Sequence, residues 1–250
     1  MMLRGDAIVL AGATGRVGGA TLATLLREGA RVLVVSRSLE RATAAIAAGV
    51  DASAAADISA AVPFAADLGE PAQAAAVVTA CVSHFGRIDA VVSLAGDGRT
   101  SRLIDSSLDD LRANLGAFVE TAYNLALPAL RAMLAQPYRE GARSRGRLIV
   151  VTAGSSKQPA PGRGLFGVAK AGVNVLMQAI AREHKADGIV ANALVLGGVA
   201  TDAARAYLNP EDFAAAATPQ EVADALAFLA SDRGSGVNGA LVDLNAREVD

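Results

Sequence analysis

Two hydrophobic rhythms alternate along the chain. Short runs of valine, isoleucine, leucine and alanine read as strands at 7–11, 31–36, 62–65, 90–94, 147–152, 190–195 and 240–243. Longer alanine- and leucine-rich stretches, with apolar residues three and four apart, read as helices at 16–28, 39–48, 71–85, 108–135, 165–185 and 219–231. Strand-then-helix repetition predicts βαβ units and therefore an α/β fold on a parallel sheet. Two segments break the rhythm. Residues 51–61 read as a loop or an extra turn, and residues 197–218, punctuated by Pro210, as a mobile connection carrying a short helix. No internal repeat and no linker interrupts the 250 residues, so one domain over 1–250 is expected.

Composition narrows the chemistry. Hydrophobic residues make up 52% and charged ones 19%, enough to bury one large core, and a net charge of −2 leaves no basic field for nucleic acid. Small-molecule chemistry is favoured. No stretch of eighteen uninterrupted apolar residues is present, and Met1 to Asp6 lead into the first strand without a signal-peptide core, so a cytoplasmic protein with no membrane partner is expected. The single cysteine, Cys81, sits in an apolar helical pattern and reads as a small core residue. His84 and His184 belong to no cluster with ligand spacing, so no metal is expected.

The first candidate for chemistry is Gly12-Ala13-Thr14-Gly15-Arg16-Val17-Gly18, which follows the first strand and opens the first helix. In that context glycines let backbone N–H groups approach a pyrophosphate, and the helix N-terminus adds partial positive charge. The second strand ends in Ser36-Arg37-Ser38, where a protein selective for NAD places a carboxylate on the ribose 2′-hydroxyl. Arg37, helped by Arg16 and Ser38, suits a 2′-phosphate instead, so NADP(H) is preferred and NAD(H) remains open.

The segment Leu165-Phe166-Gly167-Val168-Ala169-Lys170 resembles the Tyr-x-x-x-Lys signature of the short-chain dehydrogenase/reductase family, with phenylalanine in the tyrosine position. The resemblance runs from the glycine turn to 237–243. It implies a Rossmann-type doubly wound parallel β-sheet flanked by helices on both faces. It also implies roles for individual residues. Gly12, Thr14, Gly15, Arg16, Val17 and Gly18 hold the pyrophosphate, Asp67 and Leu68 meet the adenine, and Ala95 and Gly96 stand in the family's Asn-Asn-Ala-Gly turn, with Ser93 and Leu94 for the asparagines. Asn114 matches the helix asparagine of the proton relay, Lys170 the lysine on the nicotinamide ribose, and Gly197 and Thr201 a Pro-Gly-x-x-x-Thr loop with Leu196 in place of proline. The lesser alternatives are a helix cap for Asp67 and an exposed helix lysine for Lys170.

The hydroxyl-bearing half of the resemblance is missing. Ala153, thirteen residues before Phe166, stands where the family has its substrate-orienting serine. Thr152, Ser155 or Ser156 reach the pocket only if the loop shifts. Tyr207, in the segment after the sixth strand, is the leading replacement acid, ahead of Lys157; Tyr123 and Tyr138 read as structural. Three functions stay open: an NADP-dependent oxidoreductase with altered proton delivery acting on a small substrate, a non-redox cyclase, lyase or isomerase reusing the pocket, and an inactive dinucleotide-binding protein. The family also implies a homodimer or homotetramer through the long helices and the last strand.

Overall fold

A computed structural model of the protein describes residues 1–53, 58–206 and 208–244. Seven strands, β1 Ala7–Ala11, β2 Arg31–Ser36, β3 Ala61–Ala65, β4 Ala90–Ser93, β5 Gly146–Ala153, β6 Ile189–Leu196 and β7 Leu241–Leu244, form one sheet in the order β3-β2-β1-β4-β5-β6-β7. Every neighbouring pair is parallel. Such a sheet must be covered on both faces, and side-chain alternation divides the core accordingly. Val9, Leu33, Val91 and Leu148 face α3 (Pro71–Phe85), α5 (Thr121–Ala135) and α6 (Gly164–Glu183), while Ile8, Leu10, Val34 and Ile149 face α1 (Arg16–Arg27), α2 (Leu39–Ser53) and α8 (Pro219–Ala230). Cys81 lies in the first of these layers, fully buried, and burial pushes its thiol up to about 12.

Two helices differ from the sequence expectation, each for a visible reason. The helix expected at 39–48 runs on to Ser53, because Gly49 does not end it. A Cβ on Gly49 would lie 2.9 Å from Leu22 Cγ, so the residue serves as a close-packing point against α1. The helix expected at 108–135 is two helices, α4 (Leu108–Leu115) and α5, joined by one wide π-type turn at Gly116–Glu120. Such turns occur mostly as single insertions within helices, frequently at functional sites. Thr121 Oγ1 donates to the Gly116 carbonyl at 3.0 Å across the turn. The segment 197–218 holds a 3₁₀ turn at Asp202–Ala206 and α7 at Pro210–Ala215, and the isolated bridge between Val199 and Ala217 ties it down. Residues 54–57, Tyr207 and 245–250 lie outside the described residues, so part of the 51–61 segment and the candidate acid Tyr207 do too.

The two ends of the sheet carry different chemistry. At the amino ends of the strands, Arg147 is almost fully buried, donating to the Ala230 carbonyl at 3.2 Å and pairing with Asp232 and Asp6. Arg139 also pairs with Asp6, while Asp89 accepts from the Ala7 N–H at 2.8 Å and pairs with Arg87. The carboxyl ends open into a cleft.

Candidate functional site

Strand order reverses between β1 and β4, and an open parallel sheet binds ligands outside the carboxyl ends of its strands at such a point. There the structure has a cleft of about 580 Å³. Its walls come from the turn after β1 (Gly12, Thr14), the end of β2 (Arg37, Ser38), the turn after β3 (Asp67, Leu68), the turn after β4 (Ala95, Gly96) and the wide turn (Gly116, Ala117). Eight of the expected cofactor residues are thus brought together. Lys170, Gly197 and Thr201 do not line this cleft.

The three glycines of the first turn have separate steric roles. Gly12 has φ +91°, and a Cβ there would lie 2.9 Å from the Leu94 carbonyl carbon. A Cβ on Gly18 would lie 2.0 Å from the Gly12 oxygen, so α1 can approach β1 only with glycine at that position. Gly15, at the N-cap of α1, has nothing within 4 Å of its Cβ position and makes no side-chain cap, leaving the first-turn N–H groups of α1 facing open space. That cradle fits a dinucleotide pyrophosphate. Gly18→Ala is expected to destabilise the fold by about 2–3 kcal/mol through overpacking. Gly15→Ala should leave the urea midpoint nearly unchanged and weaken NADPH binding; paired urea and NADPH titrations separate the two.

At the β2 end of the cleft the arginine pair differs from expectation. Arg16 is turned away from Arg37 and forms an ion pair with Asp202 of the 202–206 turn. Arg41, from the first turn of α2, lines the cleft with Arg37 instead. Ser38 organises that start, accepting from the Arg41 N–H at 3.2 Å and donating to Glu40 at 2.6 Å. Asp67 lines the cleft and also shapes its own turn, accepting from the Gly69 N–H at 2.9 Å.

Past the wide turn lies Lys170, buried between α6 and the end of β5. Its ammonium donates to the Val151 carbonyl at 3.0 Å and sits 4.0 Å from the centre of the Phe118 ring and 5.7 Å from that of Phe166. The two rings meet edge to face at 5.2 Å and 89°, a geometry worth about 0.5–1.5 kcal/mol beyond the area it buries. Phe166 therefore fills the tyrosine position as part of an aromatic cage around the lysine. Burial lowers the Lys170 pKa to about 8. Phe118, on the wide turn, also presses on the turn after β4, since a Cβ on Gly96 would fall 2.4 Å from its ring. Phe118 thus stands between the cleft and the lysine.

Polar groups around the cage are left with unused capacity. Thr152 Oγ1, Ser155 Oγ and Asn174 Oδ1 are buried without a hydrogen-bond partner, although Asn174 Nδ2 donates to Ser156 Oγ at 2.8 Å. Ala153, at the end of β5, is half-buried and carries no hydroxyl. Asn114 is fully buried, its Nδ2 donating to the carbonyls of Asp110 at 2.9 Å and Arg99 at 3.2 Å, so it pins α4 to the loop after β4. Its Oδ1 has no partner. Thr201 Oγ1 accepts from the Ala204 N–H at 3.3 Å, while the Gly197 N–H donates to Leu244 at 3.1 Å. Lys157 is held by Asp243 at 2.5 Å. Tyr138 stacks on Arg145 and Tyr123 is half-exposed. Sequence reasoning missed Phe118, Arg41 and Asn174; of these only Asn174, a polar residue amid the apolar residues of α6, carried a signal.

Comparison with known proteins agrees with the geometry. Residues 6–212 match the family model described as short chain dehydrogenase. Oxidoreductase UcpA of Escherichia coli (strain K12) is 30% identical over 191 residues, 70% of each chain. The NADPH-dependent aldehyde reductase-like protein, chloroplastic, of Arabidopsis thaliana is 28% identical over 192 residues, 72% of this chain and 68% of that one. Among solved structures, a short-chain type dehydrogenase/reductase from Mycobacterium ulcerans superposes with a TM-score of 0.86 at 21% identity, covering 100% of this chain and 94% of the other. Glycine turn, seven-stranded parallel sheet and buried lysine on α6 together agree with that match over residues 6–212, and the chain belongs to the short-chain dehydrogenase/reductase family of oxidoreductases.

Proposed function

We propose that the protein is an NADPH-preferring reductase of small carbonyl compounds or related electrophiles, working without the serine and tyrosine hydroxyls. The observation that carries the cofactor preference is the pair Arg37 and Arg41 lining the β2 end of the cleft, with no carboxylate among the lining residues of 35–41. Two guanidinium groups suit a 2′-phosphate by charge-assisted hydrogen bonding and offer nothing specific to a free hydroxyl. When bound, the dinucleotide supplies hydride. The first turn of α1 would hold its pyrophosphate, Asp67 and Leu68 would flank its adenine, and Lys170 is the residue on the side of the far ribose.

Proximity explains why turnover survives the lost hydroxyls. Holding reactants in place supplies on the order of 7–11 kcal/mol, against roughly 3–5 kcal/mol for a positioned acid. Titration calorimetry with NADPH and NADH tests the reading. NADPH is expected to bind at least about tenfold more tightly, and Arg37→Ala with Arg41→Ala to lose about 10–100-fold in NADPH affinity while leaving NADH unchanged. Equal affinities for the two dinucleotides would remove the preference.

Self-association is part of the proposal. Tyr123 on α5 and Val168 and Val175 on α6 are at least half exposed on the helices that the family pairs between subunits. Exposed apolar side chains on these helices favour a second copy. Light scattering is expected to give a dimer or tetramer, and Val175→Glu to shift it toward the monomer.

A further inference from the structure

We propose that the ion pair between Arg16 and Asp202 is a latch, closed in the cofactor-free protein and released when a diphosphate takes Arg16 as its partner. The inference rests on the dinucleotide-binding part of the reading above. It makes Asp202 an internal competitor for the cofactor's anion. The position of the segment that carries Asp202 then depends on whether the first turn of α1 is occupied.

That segment is built to move as one piece. Residues 201–216 leave and rejoin the fold through a narrow neck, where the Ala200 N–H donates to the Ala217 carbonyl at 2.8 Å and the Ala217 N–H to the Gly198 carbonyl at 3.1 Å. Inside the flap so formed, Asn209 caps α7 by accepting from the Asp212 N–H at 2.7 Å, and the Leu208 N–H donates to the Ala204 carbonyl at 2.8 Å. The Arg205 guanidinium lies 4.1 Å from the centre of the Phe213 ring. Ala204, Ala215 and Ala216 are buried. Bonding within the flap, set against a neck of two hydrogen bonds, favours rotation about the neck over local melting. Beyond the neck, Arg16–Asp202 is the one hydrogen bond or ion pair among the described residues that ties the flap to the rest of the chain.

The pair sits where the cofactor's charge is expected. Arg16 is the first residue of α1, directly after Gly15, and α1 has no acidic residue in its first turn. Asp202, the first residue of the 202–206 turn, is the carboxylate that the fold brings to this helix end. A carboxylate there is stabilised by the helix dipole and by the guanidinium. A diphosphate draws on the same two sources with more charge and a bidentate match to arginine, so the two anions exclude each other. Both partners are exposed, 73% and 70%, so the contact is weak and salt-sensitive, which keeps the exchange reversible.

Inorganic diphosphate, which fills the cradle without offering the flap a nicotinamide, is the first probe. Trypsin cleavage after Arg205, followed by mass spectrometry on the full-length protein, reads the flap. Asp202→Asn is expected to speed cleavage of the unliganded protein about two- to fivefold, the strength of an exposed pair. Saturating diphosphate should speed the wild type by the same factor and leave Asp202→Asn unchanged. Wild-type cleavage that is indifferent to diphosphate overturns the proposal.

Calorimetry with NADPH supplies the second readout. With the competitor removed, Asp202→Asn should bind NADPH about two- to fivefold more tightly than the wild type. Glu211→Gln removes the same charge from the same flap without touching Arg16, and should bind NADPH as the wild type does. Equal gains in both variants would make the effect general repulsion and sink the latch, as would a loss of affinity in Asp202→Asn. A wild type that binds neither NADPH nor NADH removes the dinucleotide reading itself. Unchanged affinity in Asp202→Asn, beside a wild type that binds NADPH, removes only the latch.

Discussion

Ala153→Ser combined with Phe166→Tyr is expected to raise NADPH-dependent carbonyl reduction by about 10²–10⁴-fold, the contribution of a positioned acid. Phe166 lies at the start of α6 beside the Lys170 ammonium, so a tyrosine there would place its hydroxyl in the same aromatic cage. Ala153 ends β5 and would present the orienting hydroxyl. The single variants should fall well short of the pair: a serine without an acid orients an oxygen that nothing new protonates, and a tyrosine without the serine meets a loosely held substrate. Turnover of ethyl acetoacetate by wild type, both singles and the double decides it. A double variant that binds NADPH and gains nothing would mean that the substrate side has been rebuilt for other chemistry.

The second large effect lies at the opposite end of the sheet. Arg147→Met is expected to destabilise the protein by about 3–5 kcal/mol, because it leaves Asp6 and Asp232 without the buried guanidinium that partners both. Asp6 gives the same cluster a pH signature. Burial first, and the charge of Asp89 second, raise its carboxyl to about 6, against the opposing pull of Arg147 and Arg139. A carboxyl raised in the fold binds its proton more readily than in the unfolded chain, so its contribution declines as pH rises from about 4 to 6 and stays low above that. The full swing is at most about 3 kcal/mol. Urea midpoints of the wild type and Asp6→Asn at pH 4.5, 5.5, 6.5 and 7.5 should show the wild type losing ground to the variant across that range. The reverse trend would mean that the two arginines outweigh burial.

Much of this architecture was legible in the chain because a parallel sheet imposes a strong pattern. Strands buried on both faces must be continuous apolar runs, and β1 and β2 have the bounds expected from their residues. The glycine turn was legible for a related reason: the spacing of Gly12, Gly15 and Gly18 meets a steric demand that no other residue satisfies at the first and last positions. Lys170 and Phe166 were identified by resemblance, yet their relation was not. Their contact depends on Phe118, whose position is set by a turn that neither propensity nor periodicity signals, since every residue of 108–135 but Pro128 is compatible with an ordinary helix. Arg16 was misdirected because a long exposed side chain follows its nearest opposite charge, here Asp202. That aspartate is 186 positions away along the chain.

The wide turn at Gly116–Glu120 also affects how relatives should be numbered against this chain. It takes one residue more than an ordinary helical turn, so the angular phase of α4 and that of α5 are offset by a residue. Against a relative whose helix lacks that extra residue, an ungapped alignment anchored at Asn114 and one anchored at Leu125 would assign Phe118 to different columns. A single gap placed inside the helix would restore the match.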